Sequence, residues 1–552
     1  MYEYEGSVKK EFISEALKML NVYMGQKEEI VKRVKNNISI YRQEYATMYD
    51  EKKNITVPKT GFILSAVENK QADFVDNYPA PNFLAREPQD EDTAKKLSQV
   101  VPAVLELCDF KKIYKRHVRQ KVKKGTGIYG VFYNDSREEI EICELDFMSV
   151  YCDMNVSDVQ ESRFLFIVKY IPNHILCELY PKARELFTGD SQEDGYSGGK
   201  ETKTHYERSK IIDCYYKKNG KLHLMKFCQD NVIEASEDIP DMQNGVYADG
   251  EFPVVLDVMY PDDDGPFGFG TIDIIKNPQE YIDRLDGVIL KNCFRSGAPK
   301  TAVKKGSGIN EKDFLDAEKE VIMVQNLDEH TFKDIGVDPL PAHVTNHRAA
   351  KIVELKEVAG NRDFQQGGTS NGVTSGAALT VLQESGDKLS RSQIDDSYDA
   401  YKVMIKMTIS RMREFYTEEK VYRITNEMGE NEHIKFSGTE LKRTAPEKDA
   451  MGFESRTKEK DIEFDISVIP QRQNVYKREA NNQTVTQLYQ LGFFNPENAE
   501  MALMALKAMN FDGRDSIVAS ITEAKQKRDV AIAQAQAEQA RLAQMQNGGM
   551  VM

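Results

Sequence analysis

The apolar positions between residues 341 and 418 predict two long helices separated by an irregular loop. The first helical stretch spans residues 341–361, and the second begins near residue 375 and reaches about residue 418. In the second stretch, apolar residues repeat at intervals of three and four, which places them on one helix face. These residues are Ile394, Tyr398, Tyr401, Ile405, Ile409, Met412 and Tyr416.

The loop between these helices, residues 362–374, is rich in glycine and in small neutral polar residues. Because its glycines permit positive φ, no regular structure is expected. Two interpretations fit: a rigid arm that presents a mobile tip, or a surface loop between two core helices. The residues of the candidate tip are Gln365, Gln366, Gly367, Gly368, Thr369, Ser370 and Asn371.

The long helix behind this loop contains a glycine, Gly386, between Ser385 and Asp387. A glycine within a helix weakens it by ~1 kcal/mol relative to alanine and is a usual place for a bend. We therefore expect the helix to bend near Gly386.

Patterns in the first 260 residues predict a mixed α+β body. Helices are expected as a pair within residues 8–50, as one helix at 61–78, and as another at 91–124 with a break near Asp109. Strands are expected near residues 128–133, 139–145, 163–170, 205–217 and 221–229. Asn219 and Gly220, between the last two strands, are a strong signal for a type I′ hairpin.

The next segment predicts a helix, a small insert and a returning helix. Asn277, Pro278 and Glu280 match a capping box with proline at the first helical position, and Gly297 would end that helix. The insert, residues 299–340, would contain short strands near 300–303, 321–325 and 331–335, and a short helix near 311–318. Two antiparallel helices of ~20 residues, or ~30 Å each, would hold the insert on a stalk.

The C-terminal third predicts further strands and then helices. The strands are near residues 421–424, 433–436 and 462–468, and the helices near 495–509 and 515–546. The last helix is rich in alanine and glutamine and has few large apolar residues, so it could not be stable alone. It would need copies of itself or remain partly ordered.

Composition narrows the class of protein. The chain has 552 residues, 40% of them hydrophobic, and no run approaches the ~20 apolar residues of a membrane span. The first residues lack the pattern of a signal peptide, and seven scattered cysteines favour reduced thiols in a cytosolic compartment. A formal net charge of -15 would repel DNA unless basic residues cluster in space.

Candidate catalytic and metal-binding motifs are weak. Residues 195–199 spell GxSxG and residues 125–130 spell GxGxxG, but both lack the flanking elements that these motifs need. His343 and His347 lie one helical turn apart without an evident third ligand, which favours surface or interface histidines. Residues 262–264 are three aspartates that could bind a divalent cation, although a solvated turn is the better interpretation. We therefore expect no enzyme, no cofactor and no metal site.

Two segments and the order of elements resemble the portal proteins of tailed bacteriophages. Residues 266–271 followed by 272–286, with Gln279, Asp283 and Leu285, are similar to the family's transition into its first stem helix. Residues 371–378 are similar to its small-residue junction between tunnel loop and long helix. The order of body, helix, insert, helix, loop, long helix and helical C-terminus extends the resemblance over nearly the whole chain.

The resemblance implies an α+β portal fold and a domain plan. Its parts are the wing at 1–270, the first stem helix at 271–298, the clip at 299–340, the second stem helix at 341–361, the tunnel loop at 362–374, the long helix with the rest of the wing at 375–472, and a crown with a possible barrel-like helical tail at 473–552. It further implies a dodecameric ring at one capsid vertex of the virion, assembled in the host cytoplasm.

The implied partners are other copies of the chain, the major capsid protein, the scaffold, terminase, tail adaptor proteins, and double-stranded DNA that passes through the channel without sequence preference; no membrane is implied. The neutral tip residues would touch DNA without holding it. The clip would meet terminase and later an adaptor through Lys304, Lys305, Glu311 and Lys312. Two alternatives remain: another phage tail or baseplate structural protein, and a metal-dependent nuclease that uses residues 262–264.

Overall fold

The computed structural model describes most of the chain, in segments. They are residues 6–44, 58–187, 208–297, 300–303, 305, 310, 332–335, 340–360, 388–425, 431–448, 454–472, 486–491, 499–508, 517–518, 520–528, 530 and 534. The chain divides into two compact units. The larger unit comprises Met1–Val421 and Lys435–Pro470, and the smaller comprises Tyr422–Ile434 and Gln471–Met552.

Helices and strands mix throughout the larger unit, which makes the fold α+β. The helices are α1 (Gly6–Tyr41), α2 (Phe62–Asp76), α3 (Glu91–Leu107), α4 (Phe110–Lys124), α5 (Asn173–Leu179), α6 (Thr271–Gly297), α7 (Ala342–Ala359) and α8 (Lys388–Phe415). Short 3₁₀ turns include Pro88–Asp90, Val159–Glu161, Pro181–Phe187, Ser236–Asp238, Pro240–Met242 and Gly438–Leu441.

The strands form one sheet of three strands, one of five, and several pairs. The strands are β1 (Asn77–Ala85), β2 (Thr126–Asn134), β3 (Glu139–Glu144), β4 (Val150–Tyr151), β5 (Phe164–Pro172), β6 (Arg208–Lys218), β7 (Lys221–Cys228), β8 (Asn231–Ala235), β9 (Val254–Val258), β10 (Lys300–Val303), β11 (Phe332–Ile335), β12 (Lys420–Thr425), β13 (Asn431–Phe436), β14 (Lys442–Lys448), β15 (Glu454–Asp461) and β16 (Phe464–Arg472). The strand orders are β3-β2-β9 and β4-β5-β6-β7-β8, with pairs β1-β16, β10-β11, β12-β13 and β14-β15.

Turn residues set the local connections as the sequence predicts. Asn219 and Gly220 have φ of 54° and 76°, the positive values that a type I′ turn requires between β6 and β7. Asp109, with φ of 54°, separates α3 from α4. Gly125, with φ of 92°, ends α4, and its N–H donates to the Lys121 carbonyl at 2.9 Å. Residues 125–130 are therefore a helix stop followed by a strand, as the flanking pattern predicts.

The expectation of two helices within residues 8–50 is wrong, because α1 is one helix of 36 residues. Its apolar residues recur on one helix face and belong to apolar clusters that include sheet residues. The buried apolar members of this face are Ile13, Ala16, Leu20, Tyr23, Val34 and Ile40, and Ile30 is partly buried. Polar residues between them lie on the outer face and do not break the helix.

The start that the capping box at Asn277 predicts for helix α6 is also wrong. Helix α6 begins at Thr271, and Pro278 lies within it. The Asp273 carboxylate, at the third helical position, accepts from the Gly270 N–H at 3.1 Å and so caps the true start. A proline within a helix removes one backbone N–H donor. Helix α6 continues past Pro278 despite that loss.

Residues 77–85 form a strand that the sequence pattern does not predict. The helix expected at 61–78 ends at Asp76, and β1 begins at the next residue and pairs with β16 near the end of the chain. Because β1 contains two prolines, its sequence resembles a helix-ending turn more than a strand. Pairing with the distant β16 is what makes these residues a strand.

The smaller unit has its own apolar cluster. The cluster consists of Leu488, Leu506 and Ile521, with Leu503, Ile517 and Val518 packed against it. Leu506 belongs to helix α9 (Ala499–Ala508), and the described residues between 517 and 534 are helical. The helical character predicted for the end of the chain is thus confirmed where it is described.

Candidate functional site

The helices α6 and α7 pair to form a stalk, which is called the stem hairpin below. Arg348 of α7 donates to both carboxylate oxygens of Asp286 of α6. Its Nε donates to Oδ1, and its Nη2 donates to Oδ2 at 3.0 Å. One turn further along α7, Lys351 Nζ lies 5.8 Å from the ring centre of Tyr281, which is one turn earlier in α6. The two helices are therefore antiparallel.

Apolar side chains along the stem hairpin are exposed rather than packed. Helix α6 has buried residues only as far as Asp283. Beyond that point, Val288 is exposed and Phe294 is 69% exposed. On α7, Val353 and Val358 are exposed, and its buried residues are Leu355 and Ala359. Where exposed apolar residues form a contiguous patch, they mark a surface that contacts another molecule.

Polar contacts anchor the base of α6 to the segment before α2. The Asp283 carboxylate accepts from the Thr60 N–H at 3.0 Å and from the Thr60 hydroxyl at 2.7 Å. Gln279 donates to the Asp283 carboxylate at 2.9 Å and to the Thr60 carbonyl at 3.0 Å. Gln279 and Asp283 belong to the segment that resembles a portal stem, and here they fix where the hairpin leaves the body.

Residues 260–270, which are called the joint below, connect β9 to α6. The Phe269 N–H donates to the Tyr260 carbonyl at 3.0 Å, and the Gly268 N–H donates to the Thr126 hydroxyl at 3.1 Å. The Gly268 carbonyl accepts from Arg33 Nη2 at 2.8 Å. A Cβ atom at residue 268 would overlap the Tyr260 carbonyl, so the position requires glycine.

A buried lysine of α1 contacts the joint. Lys27 Nζ donates to the carbonyls of Phe147 and Val150 at 2.6 and 2.7 Å. It also lies 4.0 Å from the ring centres of Phe147 and Phe267, a cation–π geometry. Burial lowers the pKa of Lys27 to about 7. Lys27 thus links α1, the loop before β4 and the joint.

A buried charged cluster holds α8 against the three-stranded sheet. Asp257 of β9 accepts from Lys121 Nζ at 2.6 Å, contacts His117 Nε2 at 2.9 Å, and accepts from the Ser397 hydroxyl at 3.0 and 3.1 Å. Lys121 also donates to the Gln393 carbonyl at 3.2 Å. Since Gln393 and Ser397 belong to α8, the cluster fixes the register of the helix that follows the predicted tunnel loop.

The charges within this cluster support one another. Burial alone would raise the pKa of Asp257, but Lys121 and the hydrogen bond with His117 outweigh it and hold that pKa at about 2. Burial lowers the pKa of His117, against the opposing effect of Asp257. Asp257 is therefore an anion, and its main partner is the Lys121 ammonium.

The base of the predicted clip is an antiparallel pair of short strands. In β10 and β11, Lys300 is opposite Ile335 and Val303 is opposite Phe332. Lys305, just after β10, is exposed. The other clip residues of the sequence analysis lie outside the described residues: Lys304, Glu311 and Lys312. So do the strand predicted at 321–325 and the helix predicted at 311–318.

The predicted tunnel loop and bend also lie outside the described residues. They are Gln365, Gln366, Gly367, Gly368, Thr369, Ser370, Asn371 and Gly386. The helix behind them is described from Lys388, and its predicted apolar face is confirmed. Tyr401, Ile405 and Met412 are almost completely buried.

The weak metal motifs show no metal-binding geometry. His343 and His347 are both exposed on α7. Asp262 Oδ2 lies 3.9 Å from Arg33 Nη1, as in a surface ion pair. Within the described segments, no group of three or more His, Cys, Asp or Glu residues could hold a metal ion. Among the helices of those segments, none is long and apolar enough to cross a membrane.

Comparison with known proteins identifies the family. The model of a family described as Phage P22-like portal protein matches residues 29–253 and 316–552, which is most of the chain. The unmatched residues between these ranges contain β9, the joint and α6. A search of curated proteins finds no match. The chain belongs to the phage P22-like portal protein family, whose members are structural, non-enzymatic proteins of the portal vertex of the virion.

Proposed function

We propose that this chain forms a closed ring at one capsid vertex, through which double-stranded DNA enters during packaging and leaves during ejection. The observation that supports this most is the stem hairpin. It leaves the body through a tightly packed joint, yet it exposes apolar side chains along both helices. Neighbouring copies of the same hairpin would bury those side chains.

A ring follows from the kind of contact this surface would make. Contacts between different surfaces of identical chains are heterologous, and they close into a ring when the rotation between neighbours allows it. The expected stoichiometry is twelve. Negative-stain images of the purified chain, with and without capsid protein and scaffold, should show rings with a central hole. Images with no such particles under either condition would contradict the ring.

The tunnel loop is our candidate for the DNA-facing constriction. Its neutral side chains, Gln365 to Asn371, would exchange phosphate contacts one at a time, and a bend at Gly386 would aim the loop inward. The body supports this arrangement because the buried cluster at Asp257 holds α8 in a fixed register. Deleting residues 366–371 should leave rings intact and reduce the retention of packaged DNA. Normal retention would exclude this role.

The clip is our candidate for docking terminase and later the tail adaptor. Lys305 is exposed just beyond β10, and Lys304, Glu311 and Lys312 are the other proposed contacts. Changing Lys304 and Lys305 to glutamate should spare the ring and impair packaging, since the altered charges would face the partner rather than a neighbouring copy. Unimpaired packaging would place the docking surface elsewhere.

The two alternatives from the sequence have less support. The family match argues against a tail or baseplate component. A nuclease would need residues 262–264 to hold a metal, and Asp262 is instead near Arg33. Magnesium-dependent cleavage of DNA by the purified protein, abolished by Asp263→Asn, would revive the nuclease.

A further inference from the structure

The two edges of the three-stranded sheet have different surfaces. Strand β9 forms one edge and β3 the other. Beside β3 lies the corner between α3 and α4, where Cys108 Sγ is 3.1 Å from the Ile140 carbonyl. Beside β9 lies α8, which Ser397 joins to Asp257. The corner and the β9–α8 side therefore lie beside opposite edge strands, although the ring of Phe110, the first residue of α4, is 5.8 Å from that of the buried Tyr401 of α8.

A groove of about 490 Å³ opens between β9 and α8. Its apolar lining includes Leu256 and Val258 of β9 and Ala400 and Val403 of α8. Val403 is 40% exposed although it is a large apolar residue. The groove is thus an apolar surface beside an edge strand, which proteins usually cover.

The rim of the groove is acidic. Asp158, Asp396 and Asp399 line it, and Lys402 pairs with Asp399 at 2.8 Å. Partial burial raises the pKa of Asp396, Lys121 lowers it, and Asp399 is among the carboxylates that raise it further. The rim therefore has an excess of negative charge that a cationic partner would relieve.

The corner beside β3 has the complementary properties. Leu107, the last residue of α3, is 64% exposed. The outer face of α4 follows it and presents exposed cations, namely Lys111, Lys112, Lys115 and Arg116. Four exposed acids lie around Leu107, namely Glu106, Asp109, Glu139 and Glu141, whereas α4 itself contains no acidic residue, so its outer face is cationic. Lysine and arginine stems can also cover apolar surface while their charged ends reach a carboxylate.

Within one chain this corner does not fill the groove, because Leu107 and Val403 are both exposed. A second copy can, and the contact then joins two different surfaces, as a ring requires. We propose that the α3–α4 corner of one copy docks into the β9–α8 groove of the next, with Leu107 against Val403 and the α4 cations against the acidic rim. This inference rests on the proposed ring and names one of its contacts in the body.

Cross-linking tests the contact directly. In a background with Cys108→Ser and Cys293→Ser, which removes the thiol next to Leu107 and the exposed native thiol, Leu107→Cys and Val403→Cys are combined in one chain. A short bismaleimide should then give a ladder of covalent oligomers up to the size of the ring. Each single variant should give no ladder, since its thiols would meet no partner thiol. Rings without a ladder from the double variant would overturn the contact and leave the ring proposal standing.

Charge reversal provides a second, independent measurement. Changing Lys111, Lys112 and Lys115 to glutamate should reduce the ring population at least tenfold, and a second variant, Asp158→Lys with Asp396→Lys and Asp399→Lys, should do the same. Combining both sets should restore rings. The matched control reverses three exposed lysines elsewhere, Lys18, Lys32 and Lys221, and should assemble normally.

The outcomes separate the inference from the proposed function. Normal rings from the first reversal, or no recovery in the combined variant while each variant remains folded by circular dichroism, would show that these two surfaces do not meet. If the unaltered chain forms no ring even with capsid protein and scaffold, the proposed function and this contact fail together.

Discussion

The body and the stem hairpin use charged and apolar residues in opposite ways. In the body, Lys27 and Lys121 are buried, and each ammonium has several partners within the same chain. In the hairpin, the Arg348–Asp286 pair is only partly buried, and apolar residues such as Phe294 face outward. The body is therefore stabilised within one chain, whereas the hairpin has a surface suited to contact with neighbouring chains. This difference predicts that substitutions in the two regions will change different properties.

The largest loss of stability is expected from Asp257→Ala. It would leave the Lys121 ammonium buried without its main anion, and breaking a buried ion pair from one side costs about 3–5 kcal/mol. Denaturant unfolding of the variant should show this loss. Asp399→Ala, which removes an exposed carboxylate from the neighbouring helix α8, should change the unfolding free energy by less than about 0.5 kcal/mol.

The pH dependence of the same cluster sharpens this prediction. The folded pKa of Asp257, about 2, is below the ~3.9 of an aspartate in an unfolded chain. Its stabilising contribution is therefore complete above about pH 4 and is lost as pH falls towards 2. The acid limb of the unfolding curve should be shallower in Asp257→Asn than in the unaltered protein. Identical acid limbs would contradict the assignment.

A smaller effect on stability is expected from Lys27, above neutral pH rather than in acid. Burial lowers its pKa to about 7 in the folded chain, against ~10.4 when unfolded, so the unfolded chain binds the extra proton between these values. Stability from this group should rise with pH by on the order of 2 kcal/mol between pH 7 and 9. Lys27→Met should lack that rise, so the unaltered protein should gain stability relative to the variant as pH increases. A constant difference would show that Lys27 does not titrate there.

The smallest effect on protomer stability is expected in the hairpin. Phe294→Asp alters an exposed side chain, so the unfolding free energy should change by no more than about 0.5 kcal/mol. Assembly should nevertheless fail, because a carboxylate would be placed in an apolar contact between copies. Ser296→Asp, at an exposed position two residues away, is the control. Normal assembly of Phe294→Asp would exclude this part of α6 from the interface.

Local patterns predicted the elements that local chemistry determines. The Asn219–Gly220 turn, the break at Asp109 and the apolar face of α8 all depend on a few neighbouring residues, and the structure confirms them. Residues 277–280 have the sequence of a capping box, but they do not start the helix. Helix α6 begins earlier, where the joint ends and Asp273 caps its first turn. The resemblance to portal proteins is confirmed by the family match.

The buried charged residues were missed, although a signal was present. Lys27 occupies a position on the apolar face of α1, Lys121 does so on α4, and Asp257 interrupts an apolar strand. A charge within an apolar pattern indicates a buried partner of opposite charge or a ring of acceptors. Which partner it meets depends on contacts between residues more than 100 positions apart, and one sequence does not give those.

The mass of the assembled species is the most direct test of ring formation. Mass photometry of the purified chain, with capsid protein and scaffold added where needed, measures whether copies associate into one closed species. We expect a dominant species near twelve protomers that is lost in Phe294→Asp and retained in Ser296→Asp. A clean monomer under every condition would contradict it.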